Sequence, residues 1–267
     1  MQNSERTFHE LTDLTGQVAI VTGSAGWLGS AMSRGLAEAG ARLVVTSRNR
    51  QQAVDFAETL PGSGHVGLAF SQGDTDSIPS FVKQVLAEVG QIDILVNNAY
   101  GGTAPDIDTA TAQDFDDAYH TGVTAYFLLA REVVHHLRSR QAPGSIINIG
   151  SMYGVVASYP DAYEGLPANS PPNYHGLKGG IIHLTRHLAV YWAKDNVRVN
   201  TISPGPFPSQ KVHDTMPEFI QRLEQRVPMG RMGRPDELKG LVVLLASDAG
   251  SYINGQNILV DGGWTAW

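Results

Sequence analysis

Apolar residues follow two alternating rhythms along the chain. Short runs rich in β-branched residues predict seven strands, at 18–21, 43–45, 66–70, 92–96, 146–149, 197–202 and 258–260. Most are apolar at every position, as parallel strands covered on both faces require. Between them apolar residues recur at helical spacing: Met32, Leu36 and Ala39; Ile78, Phe81, Val82, Val85, Leu86 and Val89; Leu238, Leu241, Val242 and Leu245. Pro235, Asp236 and Glu237 start the last of these with acid in its first turn. The strand–helix alternation shows no compositional break. It predicts α/β architecture, one doubly wound domain over residues 1–267 with a seven-stranded parallel sheet flanked by helices. Two segments interrupt the rhythm: 157–173, rich in Pro, Tyr and Ser, and 203–217, with four prolines. Long irregular stretches of this kind in a compact α/β domain are functional loops or lids.

Composition narrows the chemistry. The 267 residues contain no cysteine, which removes disulfides, thiolate nucleophiles and Cys-ligated metals. A formal net charge of −7 argues against a nucleic-acid partner. Residues 1–15 are polar, and no apolar run approaches the roughly 20 residues of a spanning helix, so a cytoplasmic protein without a membrane partner is expected. Glycine, at 29 residues, is too scattered for a repeat, so the positions of individual glycines matter.

The first strand ends in Thr22-Gly23-Ser24-Ala25-Gly26-Trp27-Leu28-Gly29 and runs into a helix. Glycines there allow a tight turn and let backbone N–H groups approach a pyrophosphate, which predicts dinucleotide binding. The second strand ends in Thr46-Ser47-Arg48-Asn49-Arg50 with no acid. A carboxylate there would bind both ribose hydroxyls and repel a 2′-phosphate, whereas arginine would bind one. NADP(H) is therefore favoured, with NAD(H) left open. Farther on, Tyr174 and Lys178 stand four apart, on one face of a helix. An ammonium beside a phenol stabilises phenolate and brings it toward useful basicity. With Ser151 at the end of a middle strand they form a candidate acid/base site.

These landmarks, in this order, resemble the short-chain dehydrogenase/reductase family over nearly the full length, from about Leu14 to Gly263. They are the glycine loop, Asn97-Asn98-Ala99 closing the fourth strand, Ser151 closing the fifth, Tyr174 with Lys178, Asn200 followed by Pro204-Gly205, and Val260-Asp261-Gly262-Gly263. The resemblance implies a proton-transferring Tyr174, a Ser151 that orients the substrate oxygen, and a Lys178 that holds the nicotinamide ribose and lowers the Tyr174 pKa. It implies a cofactor surface of Gly23, Ser24, Ala25, Trp27, Leu28, Ser47, Arg48, Asn49, Asp74, Asn98, Ala99, Tyr100, Tyr174, Lys178, Pro204, Gly205, Pro206 and Phe207. Three positions depart from the family pattern: Trp27 replaces a loop glycine, Tyr100 follows Asn-Asn-Ala where glycine is usual, and Gly122 falls at the active-site asparagine. That asparagine helps hold a water in the proton relay behind the lysine, so the relay here is expected to be rebuilt from other groups or water.

Twenty-three positions separate Ser151 from Tyr174, about ten more than the family's simplest members carry. The added stretch resembles an insertion in members linked to sugar or polysaccharide metabolism. It brings Tyr159, Tyr163 and Glu164 forward as candidate substrate contacts, in a substrate loop of about 155–173 facing a lid of about 203–228; a surface excursion without substrate contact is the alternative. His183 and His187 have metal-ligand spacing but lie about 140° and 180° around the helix from Lys178, so packing or an interface is expected of them and a metal is not. Trp264 and Trp267 are expected to bury against another subunit, or failing that against their own, and the family resemblance implies a homotetramer or homodimer. The sum is an NADP(H)-dependent oxidoreductase that moves hydride between nicotinamide and a carbonyl or secondary alcohol of a sugar, polyol or sugar acid. The alternatives are a cofactor-binding sensor or scaffold, and a lyase or epimerase with tightly held cofactor.

Overall fold

The computed structural model describes residues 5–101, 106–166 and 170–266. Among them a seven-stranded, wholly parallel sheet runs in the order β3-β2-β1-β4-β5-β6-β7. Its strands are β1 (Val18–Val21), β2 (Arg42–Ser47), β3 (Val66–Ala69), β4 (Ile94–Asn97), β5 (Gly144–Ile149), β6 (Val197–Pro204) and β7 (Asn257–Val260). The helices are α1 (Phe8–Thr12), α2 (Trp27–Glu38), α3 (Arg50–Glu58), α4 (Ile78–Val89), α5 (Ala112–Tyr119), α6 (Ala125–Arg140), α7 (Pro160–Tyr163), α8 (Pro172–Trp192), α9 (Gln210–Thr215), α10 (Pro217–Glu224) and α11 (Lys239–Ala246).

Alternate strand residues divide between two cores, which is why the strands read as unbroken apolar runs. Val18, Ile20, Val44, Leu95 and Ile146 face the layer of α4, α6 and α8. Ala19, Val21, Leu43, Val45, Ile94, Val96 and Ile147 face the layer of α2 and α11. All seven predicted strands are present. The fourth begins two residues later than expected because Asp93 is occupied at the sheet's lower edge, where its carboxylate accepts from Val18 N (2.8 Å) and Arg140 (2.9 Å). The start expected at Pro235 is a 3₁₀ turn over Pro235–Leu238, and the α-helix follows from Lys239.

The strand order reverses between β1 and β4, so the chain diverges there at the strands' carboxyl ends and leaves a crevice. Both irregular segments fold over that end. The first contains α7, with residues 167–169 outside the described residues; the second contains α9 and leads into α10. A third core joins them: Met152, Ala162, Ile220, Leu223, Val227, Met232 and Trp264. Trp264 is 2% exposed and its ring lies 5.5 Å from that of Tyr159. This corrects the expectation of burial against another subunit, because the lid core of its own chain covers it. Trp267 lies outside the described residues.

Candidate active site

The glycine loop turns as its sequence requires. Gly23 has φ +63°, and a Cβ on Gly29 would stand 2.2 Å from the Gly23 carbonyl oxygen, so neither position accepts another residue without distortion. The N-cap of α2 is Gly26, which offers no side-chain cap, so the first N–H groups of this 12-residue helix remain for an anion. Beside them opens a cleft of about 640 Å³ lined by Gly23, Ala25, Ser47, Arg48, Asn98, Ala99 and Tyr100. Gly26 and Thr46, from the two stretches singled out in the sequence, also line it, and Gln52, Phe70, Ser71, Gln72, Gly73, Gly101 and Thr121, which were not anticipated as cofactor residues, complete its wall. Gln72 explains how such residues escape notice. It follows β3 as an unremarkable polar residue, yet its amide donates to Ala99 O (2.8 Å) and Thr121 O (2.7 Å), tying three loops together.

The other expected cofactor residues stand around this cleft. Ser24 is fully buried and bonded to the Thr46 backbone, so it fixes the loop to β2 with its side chain. Leu28 packs inward against the α2 and α11 layer. Asn49 caps α3, and Asp74 accepts from Ser77 N beside a smaller hollow that also includes Arg48. Across the crevice, Pro204 pairs with Val260 in the sheet. A Cβ on Gly205 would sit 2.5 Å from Asp261 Cα, so the backbone turns there only as glycine. Pro206 and Phe207 continue past it, and the Trp27 indole N–H donates to Phe207 O at 3.1 Å, joining the glycine loop to the base of the lid.

Ser151 closes β5, 6% exposed, and its hydroxyl accepts from Tyr153 N (3.1 Å). The Tyr174 side chain is hydrogen-bonded to it. Lys178, one turn on in α8, is 3% exposed; its Nζ donates to Ile149 O (2.7 Å) and lies 5.5 Å from the Tyr174 ring centre and 5.4 Å from that of Tyr100. The serine, phenol and amine thus meet at the end of β5, as their chain positions implied. Their ionisation differs from the expectation. Burial pushes the Tyr174 phenol up, its bond to Ser151 pulls it back, and nearby Tyr163 adds to the rise. Burial also brings Lys178 down to about 7. Burial is the largest influence on both groups, and Lys178 is not among the groups that act on Tyr174.

Around this centre lies more phenol than the sequence suggested. Tyr153 stacks on His175 (4.7 Å) and its hydroxyl bonds that of Tyr163 (3.0 Å). Tyr159 is held between Trp264 and the Arg226 guanidinium, 4.3 Å from its ring. Glu164 is exposed, and its backbone carbonyl accepts from Arg222 at 2.5 Å. Of the three expected substrate contacts, only Tyr163 is thereby linked to the serine loop. Gly122 lies in a single π turn, His120–Thr124, between α5 and α6. His183 and His187 are exposed, with His187 against the Tyr191 ring (4.5 Å).

Comparison with known proteins agrees with this geometry. The family described as enoyl-(acyl carrier protein) reductase matches residues 23–265. The 2-dehydro-3-deoxy-D-gluconate 5-dehydrogenase of Escherichia coli (strain K12) is 34% identical over 255 residues, 95% of this chain and 97% of its own. The NADP-dependent mannitol dehydrogenase of Hypocrea jecorina is 35% identical, covering 96% of this chain and 95% of its own. The gluconate 5-dehydrogenase of Burkholderia cenocepacia J2315, solved with NADP and tartrate, superposes with a TM-score of 0.86 at 31% identity, over 98% of this chain and 100% of that one. The chain belongs to the short-chain dehydrogenase/reductase family.

Proposed function

We propose that Ser151, Tyr174 and Lys178 are the acid/base centre of an NADP(H)-dependent oxidoreductase acting on a CH–OH group of a polyol, sugar or sugar acid. The observation that carries this is the Tyr174 side chain hydrogen-bonded to Ser151, one helical turn from a buried Lys178, at the end of β5 beside the dinucleotide crevice. Ser151 and Tyr174 together grip the substrate oxygen; in reduction Tyr174 gives it a proton, and in oxidation takes one away. Lys178 holds the phenol's surroundings polar in an otherwise dry site. NADP(H), when bound, supplies or accepts the hydride. Arg48 in the cleft wall, without an acid at the end of β2, supports the phosphorylated cofactor, as do relatives named NADP-dependent and solved with NADP. The same relatives, named for mannitol and gluconate, support the substrate class.

Tyr174→Phe tests the assignment. With NADP⁺ and a panel including mannitol and gluconate, turnover is expected to fall by at least about a hundredfold while NADPH binding, followed by its fluorescence, stays within twofold. Full turnover in this variant would overturn the role of Tyr174. The Trp27–Phe207 bond favours a second reading, in which a closed cleft retains its cofactor through an epimerase or lyase cycle. Product formed with no net change in NADPH absorbance would establish it. We further place the enzyme in the cytoplasm as a homotetramer or homodimer; no helix among the described residues is long and apolar enough to cross a membrane. The exposed Val190 and Tyr191 on α8 support association of copies.

A further inference from the structure

Tyr126 carries a hydroxyl that a phenylalanine would spare the protein. The residue is 2% exposed in the first turn of α6, and its oxygen is buried without a hydrogen-bond partner among the described residues. Such a group is a net cost wherever it does nothing. Its surroundings show what it does. Long side chains on a helix lean back over the preceding turn, and the residue four before Tyr126 is Gly122. Tyr126 packs there against Ala118, Leu177 and Ile181, with Tyr100 alongside. A Cβ on Gly122 would stand 2.2 Å from Leu177 Cδ1, so the π turn leading into α6 packs closely on α8 because position 122 has no side chain. The Asn97 amide fixes the start of α6 by donating to Tyr126 O (3.3 Å). The phenol is thereby held beside the turn of α8 that carries Tyr174 and Lys178.

We infer that the Tyr126 hydroxyl is a positioning group for the Tyr174–Lys178 pair, supplying from α6 the polarity that Gly122 cannot; the inference rests on the acid/base reading proposed above. The ionisable groups around this cluster are Tyr174 and Lys178 from α8, Tyr100 after β4, Tyr163 from α7 and Tyr153 after β5. Tyr174 and Tyr100 lie within electrostatic reach of the Tyr126 oxygen and add to the rise that burial gives its phenol, and burial raises the other two phenols as well. When Tyr174 has given its proton to the substrate oxygen it is a phenolate in this dry setting. A neighbouring O–H dipole stabilises that charge, and a phenyl ring does not.

The test removes one oxygen. In Tyr126→Phe with NADP⁺ bound, [13Cζ]tyrosine NMR is expected to show the Tyr174 ionisation, assigned as the resonance absent from Tyr174→Phe, displaced upward by about one pH unit. With mannitol or gluconate, kcat is expected to fall about tenfold and KM to change less than twofold, with the rising limb of the oxidation pH profile displaced in the same direction. The thermal midpoint is not expected to drop. An unmoved Tyr174 resonance with wild-type kcat would overturn the inference and leave the hydroxyl as a packing residue. Should Tyr126→Phe fail to fold, 3,5-difluorotyrosine at position 126 keeps the shape and strengthens the donor. It is expected to move the Tyr174 resonance downward, and no movement overturns the inference equally. The two proposals fail separately: full activity in Tyr174→Phe defeats the acid/base reading, whereas an inactive Tyr174→Phe beside an unaltered Tyr126→Phe defeats only the role of Tyr126.

Discussion

Leu177 occupies the space into which a residue at position 122 would project, and it is wholly buried. Gly122→Asn must therefore displace the Leu177 side chain and overpack the contact between the π turn and α8. A loss of about 1–3 kcal/mol is expected, read as a lower urea midpoint at unchanged slope, with no gain in turnover. The unusual glycine was visible in the sequence; the leucine that makes it necessary was not, because it comes from 55 positions along the chain. Tyr174 teaches the same lesson in electrostatic form. Its four-residue spacing from Lys178 was legible, but the sign of its pKa shift depends on burial and on Tyr163, which spacing cannot express. Arg48 belongs to this scale as well. Arg48→Ala is expected to weaken NADPH binding about tenfold, roughly 1.4 kcal/mol, and to leave NADH binding unchanged, as measured by fluorescence titration of both cofactors.

At the level of elements, the inserted loop and the lid form one clasp. Arg226 pairs with Asp161, Arg222 donates to Glu164 O, and the Tyr163 ring lies 5.0 Å from Phe219. The irregular composition of both segments was evident, and their pairing was not, since the partners are single charged and aromatic residues with no periodic signature. Exposed contacts of this type contribute little to global stability. Arg222→Ala is expected to shift Tm by less than about 2 °C yet to speed hydrogen exchange in α9 and α10 selectively. The segment that follows the lid is pinned differently: Glu237 accepts from Arg231 (2.6 and 2.9 Å) and from Arg234 N (2.8 Å), which holds its carboxyl down to about 2 from an ordinary 4.5. Because the folded pKa lies below the unfolded one, this stabilisation is complete above about pH 4.5 and disappears as pH falls toward 2. The Tm difference between wild type and Glu237→Gln is accordingly expected to be constant from pH 7 to about pH 5 and to close between there and pH 2.

Across the whole molecule, the parallel sheet was legible because each strand serves two cores at once and must be apolar throughout. The long-range closure by Trp264 was not, because a tryptophan near the end of the chain suits an intersubunit contact and a lid core equally well; contact with Tyr159 decides it. Everything built on this frame converges on the carboxyl ends of β1, β4 and β5, where the cleft, Ser151, Tyr174 and Lys178 meet. The account's central claim is that hydride passes here between nicotinamide and a sugar-type carbonyl, with Tyr174 providing the proton. Mass spectrometry of the product from NADPH deuterated at either face of nicotinamide C4, with fructose and 5-ketogluconate as acceptors, measures that transfer. One labelled face is predicted to deliver a single deuterium to the product alcohol in the wild type, and Tyr174→Phe to deliver none; equal labelling by both proteins, or product formed without label from either face, would contradict the account.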